Sequence, residues 1–158
     1  MSSAQVAEID NYHPVDDRLS TAGQPSEAQL RSLAREGFEV VVNLALHDDP
    51  RYSLSDEPGL VKSLGMLYVR IPVRFDAPTE EDLQAYFSTM AEHRGRKVFV
   101  HCAANKRATA FLGLYRAIKD RWAVDDAFAL MRRVWEPDAV WASFIAAMLD
   151  KHRGSAVP

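Results

Sequence analysis

Val98-Phe-Val-His-Cys102-Ala-Ala-Asn-Lys-Arg107-Ala-Thr109 reads as a strand, a tight loop and the start of a helix. The run Val98 to Val100 is short, apolar and β-branched or aromatic, which suits a buried strand. Small and polar residues follow Cys102. Beyond Arg107 the apolar residues Phe111, Leu114, Tyr115 and Ile118 recur at helical spacing. A helix start presents free backbone N–H groups and the positive end of its dipole. A cysteine there is expected to have a lowered pKa, so that its thiolate is populated near neutrality. Arg107 closes the same loop with a planar fork that matches phosphate oxygens. A thiolate, an amide cradle and a guanidinium in one loop point to nucleophilic attack on a phosphoryl group.

Strands and helices alternate on both sides of this stretch. Phe38-Glu-Val-Val-Val-Asn-Leu-Ala-Leu46 is apolar nearly throughout, as expected of a central strand covered on both faces. Met66 to Ile71 is a further strand, stopped by Pro72. Pro14 to Ser26 predicts a short strand and a turn. Ser26 is a good N-cap for a helix ended by Gly37, and Thr79 with Asp82 comes close to a capping box for another, with a shorter acid than the usual one. A short helix is predicted over 57–64, and 47–58, with its two prolines, is a loop. Three helices finish the chain, with apolar faces Phe111/Leu114/Tyr115/Ile118, Ala127/Leu130/Met131/Val134 and Trp141/Phe144/Ile145/Met148. Between the last two, Trp135-Glu-Pro-Asp138 reads as a helix-to-helix turn with a core tryptophan. This order predicts an α/β fold in three layers, with a mainly parallel four- to five-stranded sheet flanked by helices. Ligands in such sheets bind beyond the carboxyl ends of the strands, where Cys102 lies.

Composition narrows the function. The chain has 158 residues, enough for one domain, expected over 13–151 between a polar lead (1–12) and a tail (152–158). A net charge of −3 gives no basic field for nucleic acid. The one cysteine points to a reducing, cytoplasmic setting. Residues 1–10 lack the pattern of a signal peptide, and no apolar run reaches the ~20 residues of a membrane span. The histidines, His13, His47, His93, His101 and His152, have no metal-ligand spacing, so neither a metal nor a cofactor is expected.

The stretch around Cys102 resembles the signature of cysteine-dependent protein tyrosine and dual-specificity phosphatases: His-Cys, five residues, Arg, then Ser or Thr. Here four residues separate Cys102 from Arg107. An alignment without a gap puts Thr109 on the family's hydroxyl position and Ala108 on its arginine position. Thr21-Ala-Gly-Gln-Pro-Ser26, Gly37-Phe-Glu-Val-Val-Val-Asn-Leu44, Ile71-Pro-Val and Ala77-Pro-Thr are similar to small bacterial members of this group, in which the shortened loop recurs.

The resemblance implies a phosphomonoester hydrolase acting on a phosphorylated protein or small molecule through a phosphocysteine on Cys102. Arg107 and the loop Ala103, Ala104, Asn105, Lys106 and Ala108 would hold the phosphate. Asp76, on a loop upstream of the cysteine, would be the general acid, with Glu80 and Glu81 as alternatives. Thr109 either assists the thiolate or bonds a preceding carbonyl. His101 either orients the loop or is a satisfied core histidine. Asn43 either holds the loop backbone or makes a strand-end turn. Lys106 either attracts an acidic substrate or is merely solvated, and Asn105 suits a left-handed turn. Two other readings compete. A rhodanese-like sulfurtransferase also places a cysteine in a six-residue loop before a helix. A phosphate-binding module would use the same loop without turnover.

Overall fold

The structure is a computed structural model and describes residues 2–46 and 49–153. Five strands form one sheet: β1 (His13–Asp16), β2 (Leu19–Ala22), β3 (Val40–Asn43), β4 (Leu67–Arg70) and β5 (Val98–His101). Their spatial order is β1-β2-β5-β3-β4, with β1 antiparallel at one edge and every other pairing parallel. Eight α-helices accompany them among the described residues: α1 (Ser2–Ala7), α2 (Glu27–Arg35), α3 (Glu57–Ser63), α4 (Glu80–Glu92), α5 (Lys106–Ile118), α6 (Val124–Ala127), α7 (Ala129–Val134) and α8 (Ala139–His152). The three-layer, mainly parallel sheet expected from the sequence is the observed architecture.

Alternation along the strands builds the layers, because successive side chains point to opposite faces. Val40, Val42, Val98 and Val100 pack with Leu83 and Tyr86 of α4, Phe111 and Leu114 of α5, Met131 of α7 and Trp141 of α8. Val41 and Phe99 pack on the other face with Leu30 and Leu33 of α2 and Val61 of α3. The register aligns Ala22, Asn43 and His101, so three parallel strands end together. His101 follows the parity of Phe99 and points to the α2/α3 layer. Cys102 follows Val98 and Val100 and belongs to the α4/α5 layer.

Local chemistry explains the helix starts. Ser26 and Thr79 each form a complete capping box, with Gln29 and Asp82 as the returning side chains. Asp56 caps α3 and Asp138 caps α8.

Three expectations change. The polar lead is not a lead: α1 forms, and Val6 and Ile9 are buried (each 2% exposed) against α2. Two well-placed apolar side chains suffice there although their neighbours are polar. The helix expected over 127–134 is split into α6 and α7 at Phe128, whose ring wedges against Gly113 of α5; a Cβ at Gly113 would lie 2.2 Å from it. The strand expected over 38–46 is shorter, β3 covering only Val40–Asn43, although Glu39 and Leu44 on either side still bond the neighbouring segments through their backbones. Of the loop expected over 47–58, His47 and Asp48 lie outside the described residues, as do residues 154–158 of the expected tail.

Candidate active site

Cys102 is the first residue after β5 and is 1% exposed. The chain turns through Ala103, Ala104 and Asn105 and enters α5 at Lys106. Asn105 adopts φ 67°, the left-handed conformation its side chain tolerates. It stands at the N-cap yet makes no cap bond. Its Nδ2 points inward and donates to the carbonyl of Asn11 (2.8 Å) and to Thr21 Oγ1 (3.1 Å). The first-turn amides of Lys106, Arg107 and Ala108 have no intrahelical acceptor by geometry. The open helix start therefore lies one short turn beyond the cysteine.

The outer wall of the loop is stitched to two other segments. The amide of Gln24 donates to the carbonyl of Ala103 (3.0 Å), Gly23 bridges Ala104, and Asn11 Nδ2 donates to the carbonyl of Ala104 (3.1 Å). The Cys102 amide donates to the carbonyl of Ala22 (3.3 Å), and the Leu44 amide to the carbonyl of His101 (2.8 Å).

Arg107 lies in the first turn of α5, 8% exposed. Its Nη1 donates to the carbonyl of Val73 (2.8 Å), and its guanidinium carbon sits 5.9 Å from the centre of the Phe75 ring. Its buried Nε has no partner among the described residues. The guanidinium thus joins the cysteine loop to the segment after β4, which carries Asp76. Trp141 Nε1 anchors the same segment at the Phe75 carbonyl (2.7 Å). Exposed Lys106 approaches the rings of Phe75 (5.9 Å) and Trp135 (5.7 Å).

Asp76 is exposed and bound on both oxygens by Arg74, at 3.0 and 2.9 Å. That hydrogen-bonded guanidinium holds its carboxyl below the usual carboxylate range. Glu80 is paired with Lys151 and His152 of α8 and is likewise held down, chiefly by the Lys151 bond. Glu81 is exposed in the first turn of α4. Thr109 takes the local option: its hydroxyl bonds the carbonyls of Asn105 (2.8 Å) and Lys106 (3.1 Å). Asn43 makes the strand-end turn, accepting from the Ala45 amide (2.9 Å), and donates to the Tyr68 hydroxyl (3.1 Å). In Trp135-Glu-Pro-Asp138, the acid caps α8 and the indole packs on Phe75 and Trp141.

His101 is fully buried. Its Nδ1 faces the carbonyl of Cys102 (3.2 Å) and its Nε2 faces Glu57 Oε2 (2.6 Å). Glu57 is also fully buried, and its Oε1 accepts from Gln24 Nε2 (2.8 Å). Sequence reasoning missed Glu57. As the first residue of α3 it looked like an ordinary acid at a helix start, and nothing local marks its pairing with a residue 44 positions away. Among the described residues, no group of three or more His, Cys, Asp or Glu side chains is gathered as a metal site.

Residues 4–140 match the family described as a DSP-PTPase phosphatase fused to NAD+ kinase. The chain belongs to this family. A DUF442 protein of Shewanella putrefaciens CN-32 has the same fold with a TM-score of 0.83 and 30% identity, over 94% of this chain and 97% of that one. PTPMT1 in complex with PI(5)P superposes with a TM-score of 0.76 at 17% identity, covering 94% of this chain and all of the other, which is a likeness of fold. The beta-lactamase hydrolase-like protein of Xylella fastidiosa strain Temecula1 is 30% identical over 118 residues, 73% of this chain and 27% of that protein. The chain thus spans about a quarter of the length of this curated relative. The family is that of cysteine-dependent phosphatases, and neither a sulfurtransferase nor a phosphate-binding module without turnover is favoured by these matches.

Proposed function

We propose that this domain hydrolyses phosphomonoesters through a phosphocysteine on Cys102. The observation that carries the reading is the start of α5 at Lys106, a three-residue turn beyond Cys102, with Asn105 turned inward, no side-chain cap, and the first-turn amides left for an anion. The Cys102 thiolate attacks phosphorus; the S–P bond forms as the ester P–O bond breaks. Loop amides from Ala103 to Ala108 and the Arg107 fork stabilise the equatorial oxygens. Arg107 reaches them by exchanging its bond to the Val73 carbonyl for charge-assisted bonds to the anion. Asp76, released from Arg74 and protonated from solvent, gives that proton to the leaving oxygen. Water then forms a P–O bond as the S–P bond breaks, its proton returns to the carboxylate, and inorganic phosphate leaves.

The substrate is a phosphorylated small molecule or protein. The free thiol of Cys102 supports action in a reducing compartment, the cytoplasm. No described helix is long and apolar enough to cross a membrane. The test uses an aryl phosphate, a phosphotyrosyl peptide and PI(5)P as probes. Cys102→Ser is expected to abolish phosphate release while the protein stays folded. Arg107→Lys, which keeps the charge but loses the fork, should lower turnover strongly with little change in thermal stability. Full turnover in the serine variant would end the covalent mechanism.

A further inference from the structure

We propose that Glu57 is a positioning residue for the cysteine loop: its carboxylate keeps His101 doubly protonated, so that Nδ1–H stays fixed on the Cys102 carbonyl. This rests on Cys102 being the nucleophile.

Strand parity carries the first step. His101 and Cys102 are adjacent in the chain but serve opposite faces of the sheet. His101 is therefore delivered to the α3 layer, where Glu57 stands, while its backbone continues into the loop on the other side. A side chain on the opposite face of the sheet thus has a fixed connection to the loop's backbone.

Donor counting carries the second step. A carbonyl oxygen only accepts, so the 3.2 Å contact from Nδ1 to the Cys102 carbonyl requires a proton on Nδ1. One proton then lies between Nε2 and Glu57 Oε2, which are 2.6 Å apart. Gln24 Nε2 donates to the other carboxyl oxygen at 2.8 Å, which favours the carboxylate over the acid. The proton therefore belongs to His101, and an imidazolium lies behind the loop. Phe99 flanks its ring at 5.7 Å between centres, and the side chains of His101 and Glu57 are fully buried. Among the described residues, Tyr68 of β4 faces the Glu57 side of the pair. Burial pushes the Tyr68 phenol up to about 12, and the Glu57 charge acts in the same direction, so Tyr68 is neutral throughout the working range.

The consequence is chemical. A fixed positive charge one residue from the nucleophile favours the thiolate and the dianionic substrate, and the Nδ1–H bond holds the loop carbonyl turned away from the anion. Glu57 touches neither substrate nor sulfur; it acts through His101.

The test begins with the intact protein carrying ¹⁵N-labelled imidazoles, the His101 signals being assigned by their loss in His101→Asn. Both ring nitrogens should show protonated shifts from pH 6 to pH 8. Glu57→Gln keeps the shape and can still bond Gln24 and Nε2, but removes the charge. In that variant His101 should become singly protonated. The pH of half-maximal alkylation of Cys102 by iodoacetate should rise by about one unit, and kcat should fall about tenfold with KM nearly unchanged. A singly protonated His101 in the native protein, or an unmoved alkylation midpoint in a folded Glu57→Gln variant, overturns the proposal. If that variant does not fold, the native ¹⁵N spectrum decides alone. Turnover surviving Cys102→Ser would instead remove the covalent mechanism, and it leaves the His101 spectrum as it was.

Discussion

Asp76 sets the hardest chemical condition at the scale of single residues. A general acid must hold a proton at the working pH, yet Arg74 grips both its oxygens and depresses its pKa. The sign follows directly. The lowered value keeps Asp76 ionised at neutrality, so the acid role proposed for it should strengthen as pH falls. For substrates with poor leaving groups, kcat should therefore decline from the acid side toward neutrality. Arg74→Ala releases the carboxyl back toward the ordinary aspartate range, and should move that decline to higher pH. Asp76→Asn should cost ~10²–10⁴-fold on an alkyl phosphate and much less on a good aryl leaving group. The check is a set of kcat profiles against pH for the three proteins. Superimposable profiles for the native protein and Arg74→Ala, with small equal losses in Asp76→Asn, would move the proton to Glu81, Glu80 or water.

At the scale of elements, the site is a loop held from outside by a neighbouring strand end. Gly23, just past β2, approaches the cysteine loop so closely that a Cβ would lie 2.6 Å from the Ala103 carbonyl oxygen and 3.2 Å from the Ala104 Cα. Both contacts are backbone and cannot rotate away. Gly23→Ala should therefore push β2 and the loop apart, costing ~1–3 kcal/mol as overpacking and lowering turnover further through the displaced amides. Thermal melts and kcat measured together check this; a native Tm with native kcat would mean the loop is softer than its bonds suggest. The strand, loop and helix around Cys102 were legible in the sequence because each signal is local: an apolar run, a positive-φ asparagine, a 3.6-residue repeat. The N-cap at Ser26 and the box at Thr79 were legible for the same reason; the returning Gln29 side chain at Ser26 was not singled out. Glu57 was not, because its burial arises only when α3 packs against the end of β5. The inward turn of Asn105 was hidden too, since its partners Asn11 and Thr21 are 94 and 84 residues away.

The whole molecule ties its first dozen residues to its chemistry. Val6 and Ile9 close the α2 side of the sheet, each 2% exposed. Immediately afterwards the Asp10 carbonyl accepts from the Gly23 amide (2.7 Å), and Asn11, at φ 51°, bonds the loop through its side chain to Ala104 and through its carbonyl to Asn105. Stability and function separate along this segment. Ile9→Ala should cost ~2–5 kcal/mol as a core truncation, a large share of a typical ~5–15 kcal/mol, and should lower Tm while folded protein keeps its turnover. Asn11→Ala removes one partly exposed bond, worth ~0.5–1.5 kcal/mol, and exchanges a residue suited to positive φ for one that is not. Its Tm should fall little, but kcat should fall more, because the Ala104 carbonyl loses its outside tether and the amides beside it lose their aim. Denaturant midpoints and kcat for both variants check the division. Equal loss of Tm and kcat in both would mean that the segment only stabilises the domain and does not shape the loop.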